Sequence, residues 1–460
     1  MKRFTVLAVI FIGLISTPFS SLAAPLDEVK NLVSEHYKGE LPSNIVDIDS
    51  IDEIMKQLDP YSTYFTREEF EAYTNSINNT TTGIGVTIEE HPKGIQIVGT
   101  FEGGAAAQAG ISPGDIILSV DGIATNGMSI QQASSMITGK EGTAVQLQIL
   151  TSNNSKQVFN IIRKKFTIPV VTKELLAGSV GYISMNSFSD DGAVLVQKAK
   201  VDLEKKGATS FILDLRNNGG GYVHTAEELI GLFPNSPDAF KIITTKETTL
   251  TKSTKQPSLF PANTKVLVNG YSASASEMTA AALLDQKSAT LYGQTTYGKG
   301  SMQSFFSLSD ESIIKLTVAN FTGPKGTLIH KKGVKPNYET EVGYELLQAH
   351  QDALVESYKN YKNYKKMSAL LNVPTTKQFT ITFSGTVVEN TKQKVELVKL
   401  GSTNTVPVTI KAKSSKQFVV TPTAPLEKGA AYLLLIHPTF QTNAGIMMRN
   451  GAYVEVTVQP

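Results

Sequence analysis

The sequence predicts a multidomain α+β protein with a helical N-terminal region, a small β-rich module, a central α/β domain and a C-terminal β-sandwich. A chain of 460 residues is too long for a single hydrophobic core. The spacing of its apolar residues changes from a helical period to short alternating strands, then to strands that alternate with helices, and finally to strands alone. A polar, turn-rich linker at residues 78–82 separates the first two parts.

The first 23 residues have the pattern of an export signal. Lys2 and Arg3 precede an apolar run from Phe4 to Ile15, and residues 21–23 (SLA) supply small side chains at a cleavage position. The alternative is an uncleaved anchor helix. We therefore expect an exported protein that is extracellular or associated with the cell envelope.

Residues 24–80 have mostly helical periodicity, which the segment 58–65 interrupts. Thr66 and Glu69 have the spacing of a capping box at the start of the next helix. Residues 81–166 then form a compact β-rich module. Its predicted elements are strands at 85–88, 95–98, 116–120, 145–150 and 158–162, and a helix at 130–137.

Residues 167–345 alternate strands with helices, which predicts an α/β core. The predicted strands lie at 180–184, 210–215 and 265–268, and the predicted helices at 194–205 and 276–284. A helical linker is predicted at 346–373, with one helix over 345–371 that we favour as a solvated spacer over a dimer-forming or docking helix. Residues 374–460 alternate without a strong helix and predict a small β-sandwich, with a strand at 378–383.

Composition excludes several classes of function. The formal net charge is +2, which equals the contribution of Lys2 and Arg3, so the rest of the chain is close to neutral. Nothing in that charge indicates a nucleic acid partner. The chain has no cysteine, which excludes disulfides, thiolate catalysis and cysteine-ligated zinc.

Three segments carry residues suited to acyl-transfer chemistry. Residues 214–221 (DLRNNGGG) follow a buried strand, and their glycines allow backbone N–H groups to approach a ligand, although a plain turn is the alternative. Residues 272–277 (SASASE) place a serine at a strand-to-helix turn, where the helix N-terminus favours an oxyanion; the alternative is a cluster of capping serines. Residues 297–303 (YGKGSMQ) place a lysine between two glycines.

A serine nucleophile needs a base. His224, just after the glycines, is the one histidine in a suitable position. A lysine can serve instead if burial lowers its pKa from about 10.4 to about 7–8, a shift within the documented range.

Together these segments resemble the carboxy-terminal processing peptidases, also called tail-specific proteases. That family has a D-L-R-x-N-x-G-G loop, a S-A-S-A-S-E turn and a F/Y-G-K-G-x-x-Q segment, and all three match here within a region of about 30–345. The resemblance implies a crotonase-like or ClpP-like α/β core that needs no metal or other cofactor. One position departs from the pattern, because Gly219 stands where the family often has proline, which makes the loop more flexible.

The resemblance also implies a role for each matched residue. Ser274 is the nucleophile, Lys299 is the base and Gln303 orients the lysine. The backbone N–H groups of Ala275 and Gly220 form the oxyanion hole. The implied reaction is acyl transfer through a Ser–Lys pair, as in a serine endopeptidase.

The module at 81–166 resembles a PDZ domain, whose loop binds the C-terminal carboxylate of a partner. Residues 82–86 (TGIGV) resemble that loop, so tail binding is implied for Gly83, Ile84, Gly85 and Val86. Arg163 resembles a position that couples the placement of the module to the active site. The implied partners are protein or peptide substrates with accessible C-termini and a second copy of the chain in a homodimer.

Residues 425–432, with the β pattern before them, resemble a bacterial Ig-like domain. From Pro374 onward there are nine basic and four acidic residues, a net charge of +5. This charge favours association with an anionic cell wall; the alternative is an inert or dimer-forming appendage.

A function of a different class also fits part of the pattern, namely a catalytically silent PDZ adaptor or scaffold at the cell surface. The intact Ser274, Lys299 and Gln303 favour the enzyme. A chymotrypsin-like PDZ protease requires a G-x-S-G turn and a protease domain before the PDZ domain, and the sequence has neither. We therefore predict a secreted serine endopeptidase.

Overall fold

The structure is a computed structural model that describes residues 25–42, 44–101, 103–359, 364–388 and 394–460. The predicted export signal lies outside the described residues. None of the helices in these ranges has both the length and the apolar character that a membrane span requires. The chain divides into two compact units, one comprising residues 65–170 and the other comprising the segments before and after it.

The N-terminal segment contributes two α-helices, a short 3-10 helix (Ile45–Asp47) and a short strand to the larger unit. The α-helices and the strand are α1 (Pro25–His36), α2 (Ile51–Gln57) and β1 (Thr63–Phe65). Val29 and Val33 of α1 and Ile54 of α2 are fully buried. They form one apolar cluster with Ile314 and Leu316 of the central domain, so this segment is attached to that domain by its apolar faces.

The unit of residues 65–170 packs helices on an antiparallel sheet. Its elements are α3 (Arg67–Ile77), β2 (Thr80–Gly83), β3 (Val86–His91), β4 (Gly94–Thr100), α4 (Ala105–Gln108), β5 (Ile116–Val120), β6 (Ile123–Ala124), α5 (Ile130–Ile137), β7 (Ala144–Leu150), β8 (Lys156–Ile162) and β9 (Lys164–Thr167). The sheet has the order β3-β4-β5-β7-β8 with β6 on β5, and β2 pairs separately with β9. The predicted capping box of Thr66 and Glu69 begins α3, and α5 has the predicted bounds.

The central domain alternates strands and helices as predicted. Its elements are β10 (Val171–Leu176), β11 (Val180–Met185), α6 (Gly192–Lys205), β12 (Ser210–Asp214), α7 (Val223–Ile230), β13 (Asp238–Ile243), β14 (Thr248–Lys252), β15 (Lys265–Val268), α8 (Ala275–Gln286), β16 (Thr290–Gly293), β17 (Ser301–Ser307), β18 (Ile313–Thr322), β19 (Tyr338–Glu339) and α9 (Glu345–Lys359).

Two sheets organise this domain. The main sheet has the order β10-β11-β12-β15-β16-β19 and is parallel from β11 onward. Leu213 and Val266 face the cluster around α6, α7 and α8, whereas their neighbours Ile212 and Leu267 face the cluster around α9. Because both faces are covered, these strands are continuous apolar runs. The carboxyl ends of β12 and β15 lead into the glycine loop and the serine turn, which brings the two motifs to one edge.

The second sheet has the order β1-β18-β13-β14, with β17 also paired to β18. In its register, Gln303 of β17 lies opposite Thr317 of β18. The side chains of Gln303 and Thr317 therefore meet beside the loop that carries Lys299.

The C-terminal domain is a β-sandwich, as predicted. Phe379 and Phe418 of a three-stranded sheet pack in one cluster with Leu397 and Leu434 of a six-stranded sheet. The strands are β20 (Tyr364–Lys366), β21 (Leu370–Val373), β22 (Phe379–Thr382), β23 (Val395–Lys399), β24 (Thr405–Val406), β25 (Val408–Ser414), β26 (Gln417–Pro422), β27 (Ala431–Ile436) and β28 (Gly451–Val458).

We predicted a helical linker at residues 346–373, with one helix over residues 345–371. The prediction is wrong for the second half of that helix. Helix α9 ends at Lys359, and both β20 and β21 run parallel to β28. Tyr364 lies opposite Gly451, and Leu370 opposite Val456. Such partners are distant in the sequence, so local periodicity cannot reveal that these residues are strands.

The preference for a solvated spacer is also wrong for α9. Ala349, Ala353 and Leu354 are fully buried. They share one apolar cluster with Leu433 and Leu435 of the C-terminal domain and with the second face of the main sheet. Helix α9 is therefore a docking helix that joins the C-terminal domain to the central domain.

His350 makes this junction sensitive to pH. It is fully buried, and its Nδ1 accepts a hydrogen bond from Gly401 N–H at 2.9 Å. Its Nε2 lies 2.9 Å from Ala177 O. Because Nδ1 accepts a hydrogen bond and therefore carries no proton, the ring is neutral and its proton is on Nε2. Burial is the main cause that lowers the pKa of His350 in the folded chain. The unfolded chain binds a proton below about pH 6.5, so the stability that neutral His350 contributes is present above that pH and is lost as the pH falls.

We expect His350→Leu to flatten this pH dependence and to lower the free energy of unfolding at pH 8 by about 1–3 kcal/mol, because two backbone groups lose their partners. Urea unfolding of the wild type and the variant between pH 5 and pH 8 measures both effects. Equal slopes of stability against pH in the two proteins would contradict this assignment.

Candidate active site

Ser274 lies in the turn between β15 and α8 and is the N-cap residue of α8. Its backbone has φ 56° and ψ −113°, a conformation that a residue other than glycine keeps only under constraint. Two fully buried serines supply that constraint. Ser272 Oγ donates to Leu215 O at 2.8 Å, and Ser276 Oγ donates to Asn218 O at 2.9 Å. The serine turn is thus fastened to the glycine loop, with Ser274 between them.

Lys299 is brought to the same place by the loop before β17. Burial is the main cause that lowers the pKa of its ammonium group, while Asp59 and Glu277 act in the opposite direction. A lowered pKa is what a lysine needs in order to accept a proton near neutrality. In the described residues, Lys299 Nζ forms no hydrogen bond to Ser274 Oγ and lies instead over the ring of Tyr61.

The carboxylate of Glu277 connects the two segments. Its Oε2 accepts hydrogen bonds from the N–H groups of Ser274 (3.0 Å) and Lys299 (2.8 Å). Its Oε1 accepts from Gly298 N–H and from Thr296 Oγ1, both at 2.6 Å. Glu277 is fully buried, and burial is the largest cause that raises its pKa. One side chain therefore holds the backbone of the predicted nucleophile and of the predicted base.

Gln303 lies beside this centre but has different partners from those the resemblance implies. Its Nε2 donates to Ser301 Oγ (3.1 Å) and to Thr317 Oγ1 (3.2 Å). Thr317 Oγ1 in turn donates to Asp59 Oδ1 at 3.0 Å. Over the described residues, Gln303 has no hydrogen bond to Lys299. The predicted role of Gln303 in orienting Lys299 therefore remains a prediction. In this structure Gln303 forms hydrogen bonds with Ser301 and Thr317, which lie near the lysine.

The two predicted donors of the oxyanion hole differ in availability. Ala275 N–H, in the first turn of α8, has no acceptor among the described residues, and a helix N-terminus favours negative charge there. Gly220 lies against the serine turn with φ 103°, but its N–H donates to Asn218 Oδ1 at 2.9 Å. To bind an oxyanion, Gly220 N–H has to exchange Asn218 for the substrate oxygen.

His224, the alternative base, is occupied elsewhere. Its Nε2 lies 3.2 Å from Asp190 Oδ1, and its ring stacks on Tyr222. The described residues contain no hydrogen bond from His224 to Ser274. They also contain no group of three or more His, Asp or Glu side chains placed to hold a metal ion.

Comparison with known proteins identifies the family of the chain. The model of peptidase family S41 matches residues 179–340. The carboxy-terminal processing protease CtpA of Bacillus subtilis is 35% identical over 327 residues, which cover 70% of this chain and 69% of the relative. The chain belongs to this peptidase family. It is a serine-type peptidase of the carboxy-terminal processing kind.

Other matches cover the same region and the two additional domains. A probable CtpA-like serine protease of Staphylococcus aureus is 32% identical, with 72% of this chain and 68% of the relative covered. The photosystem II D1 C-terminal processing protease, a solved structure, is 26% identical, with 72% of this chain and 95% of that chain covered and a TM-score of 0.44. A PDZ domain model matches residues 102–151 and a bacterial Ig-like domain model matches residues 368–456, so the peptidase carries both predicted modules.

In the PDZ domain of the peptidase, the predicted tail-binding loop joins β2 to β3. Gly83 ends β2, Ile84 is buried and Val86 begins β3. Gly85 has φ 79° and lies close to Gly104. A Cβ added at Gly85 would be 3.0 Å from the Cα of Gly104. Ile84 N–H and Gly85 N–H have no acceptor among the described residues, as a carboxylate-binding loop requires.

Arg163 of the peptidase is almost fully buried within the PDZ unit. Its guanidinium donates to the carbonyl oxygens of Met136 (2.8 Å) and Ile137 (2.9 Å), at the C-terminus of α5, where a cation is favoured. Two further hydrogen bonds go to Thr143 Oγ1 and Ala144 O. These contacts support the PDZ fold, and the predicted coupling to the active site remains a prediction.

Sequence reasoning missed several residues that shape the site of the peptidase. Glu277 lies within the serine motif, three residues after the N-cap residue Ser274. That spacing is the feature of the sequence that could have indicated its role. Asp59 and Tyr61 were noted only as a break between helices. Lys315, on the same strand as Thr317, has its pKa lowered to about 8 by burial and by Lys299.

Proposed function

We propose that the chain is an exported serine endopeptidase that binds the C-terminal tails of its substrates in the PDZ domain and cleaves them through an acyl-enzyme on Ser274, with Lys299 as the base. The observation that carries the proposal is the shared carboxylate of Glu277, which accepts hydrogen bonds from the N–H groups of both residues. A single buried group thereby fixes the nucleophile and the base relative to each other.

In the proposed reaction, Lys299 Nζ takes the proton of Ser274 Oγ as the oxygen attacks the scissile carbonyl carbon. Ala275 N–H and Gly220 N–H hold the oxyanion of the tetrahedral intermediate. When the C–N bond breaks, the Lys299 ammonium gives its proton to the leaving amine. Water then attacks the acyl-enzyme with Lys299 as base, and Ser274 is regenerated.

Capture of the substrate tail is assigned to the loop formed by Gly83, Ile84, Gly85 and Val86. The free N–H groups there suit a terminal carboxylate, and the residues before the carboxylate then add as a strand beside β3. A groove is lined by Glu90 and His91 at the end of β3, by Met128 in the loop before α5 and by Gln132 of α5. Its position suits the side chains of an extended peptide.

Export, homodimer formation and association with an anionic cell wall are parts of the same proposal. The basic C-terminal domain is the segment assigned to the wall. Fractionation of cells tests export, and sedimentation of the purified protein with cell walls at low salt tests wall association. Protein found only in the cytoplasm, or no sedimentation with walls, would contradict them.

The proposed activity is tested with the purified mature protein and an unfolded substrate protein that has an apolar C-terminus. We expect cleavage by the wild type and none by Ser274→Ala or Lys299→Ala. A substrate whose last residues are replaced by charged ones should be cleaved more slowly, because the PDZ domain no longer binds its tail.

Each alternative gives a different result. Full activity of Lys299→Ala would reassign the base, with His224→Ala as the next variant. No cleavage by the wild type, even with free tail peptides added, would favour the silent adaptor.

A further inference from the structure

Tyr61 contacts the proposed base although it lies in the N-terminal segment. Lys299 Nζ is 4.9 Å from the centroid of the Tyr61 ring, within the distance at which a ring face attracts a cation. Tyr61 is half-buried, and its side chain also interacts with that of Tyr297, two residues before the lysine. The lysine is therefore bordered by an aromatic side chain to which neither the sequence motifs nor the proposed mechanism gives a role.

The loop that carries Tyr61 is fixed by hydrogen bonds on both sides of the residue. Tyr61 N–H and Thr317 Oγ1 both donate to Asp59 Oδ1, at 2.8 and 3.0 Å. Thr317 N–H donates to Ser62 Oγ at 3.1 Å, and Asp59 N–H donates to Tyr37 Oη at 2.8 Å. The backbone of Tyr61 is thus tied to β18, the strand that also holds Gln303 through Thr317. Such a loop can present the ring in one place.

We propose that Tyr61 is a positioning residue of the peptidase, whose ring holds Lys299 Nζ in place and stabilises the ammonium that forms when the lysine takes the proton of Ser274. The proposal rests on the proposed function. Charge develops at Nζ during acylation, so an aromatic face fixed beside it lowers the barrier more than it stabilises the neutral ground state.

The ring has two effects on the proton affinity of Lys299 that oppose each other. Its bulk excludes water, which disfavours the ammonium, and its face attracts the ammonium. The other groups that act on this lysine are the carboxylates of Asp59 and Glu277 and the ammonium of Lys315. A substitution at position 61 keeps all three of these side chains, and it also keeps the backbone N–H of residue 61 that donates to Asp59.

Three substitutions separate the two effects. Tyr61→Phe keeps the ring, Tyr61→Leu keeps an apolar cover without the ring face, and Tyr61→Ala removes both. Tyr64→Ala is the matched control, because Tyr64 is in the same segment but its hydroxyl lies 3.5 Å from Asp310, away from the lysine. The readouts are the rate at which a fluorophosphonate probe phosphonylates Ser274 Oγ, with release of fluoride, from pH 5 to pH 10, and kcat and KM on the unfolded substrate.

We expect Tyr61→Phe to stay within about threefold of the wild type at every pH, because the ring is kept. Tyr61→Leu should shift the pH midpoint of the reaction with the probe downward, and Tyr61→Ala should shift it upward toward that of an ordinary lysine. Both should lower kcat by about tenfold or more with KM nearly unchanged. A role limited to folding would lower the melting temperature without shifting the midpoint.

Failure of this inference is distinguishable from failure of the proposed function. If the wild type and Tyr64→Ala react with the probe and Tyr61→Leu has the same midpoint and kcat, Tyr61 has no positioning role. If Tyr61→Ala does not fold, Tyr61→Leu decides the question. If the wild type does not react, or if Ser274→Ala reacts equally, the proposed function itself is wrong, whatever Tyr61 does.

Discussion

Replacing Glu277 by alanine is expected to remove nearly all peptidase activity and to lower the free energy of unfolding by about 3–5 kcal/mol. The carboxylate accepts four hydrogen bonds, among them those from the N–H groups of Ser274 and Lys299. Its removal leaves four donors without a partner in a buried place. The loop with the lysine can then move relative to the serine turn, and a displacement of 1 Å costs about 100-fold in rate.

Two further variants show whether geometry or general stability causes the loss. Glu277→Gln keeps the side-chain volume, but its amide N–H₂ cannot accept hydrogen bonds from the donors that contact one of the two carboxylate oxygens. We therefore expect Glu277→Gln to lose most of the activity that Glu277→Ala loses. Asp285→Asn is the matched control, because Asp285 lies on the same helix and accepts from Lys325 N–H (2.7 Å) and Thr327 Oγ1 (2.5 Å), in another loop. Activity in Asp285→Asn near that of the wild type, with similar loss of stability, supports the role of Glu277. Equal activity losses in both would refute it.

Replacing Gly220 by alanine is expected to lower kcat/KM by at least about 100-fold, because the side chain and the backbone conformation both conflict with the site. A Cβ at this position would lie 2.8 Å from Ser274 Cβ and 3.0 Å from Ala275 N. The φ of 103° is also one that residues with a side chain rarely adopt. The glycine loop would have to move away from Ser274, which would displace one proposed donor of the oxyanion hole.

The adjacent glycine provides the control. A Cβ at Gly219 would meet nothing within 4 Å, and Gly219 is absent from the glycines with positive φ. Gly219→Ala is therefore expected to keep kcat/KM within about twofold of the wild type, since the site there has space and no strain. Steady-state kinetics on the unfolded substrate, with melting temperatures for both variants, compare the two. An active Gly220→Ala would mean that the loop does not approach Ser274 closely during the reaction.

Local pattern was sufficient to predict most of the elements that position the site. Helix 130–137 has its predicted bounds because Ser129 caps it and the apolar period is clear. Strands β12 and β15 were evident as apolar runs, since a parallel sheet covered on both faces needs such runs. Ser274 and Lys299 were predicted from motifs of specific order and spacing, and Glu277 accepts a hydrogen bond from the N–H group of each.

The remaining features depend on contacts between distant parts of the chain. The strands after α9 pair with β28, the last strand of the chain, and the lysine-rich segment before them gave no sign of it. The contact of Tyr61 with Lys299 likewise arises from packing of the N-terminal helices on β18. The hydrogen bond of Gly220 to Asn218 depends on the orientation of one peptide group, which no residue pattern specifies.

The hydrogen bond between Asp59 and Thr317 joins residues 258 positions apart in the chain. The surroundings of the lysine are therefore incomplete until β18 has been synthesised and has folded against the N-terminal segment. A contact of such large sequence separation forms late and slowly, because a long loop has to close first. Under the proposed export in an unfolded state, the chain would cross the membrane without an assembled proteolytic centre, and completion of folding would be the event that confers activity.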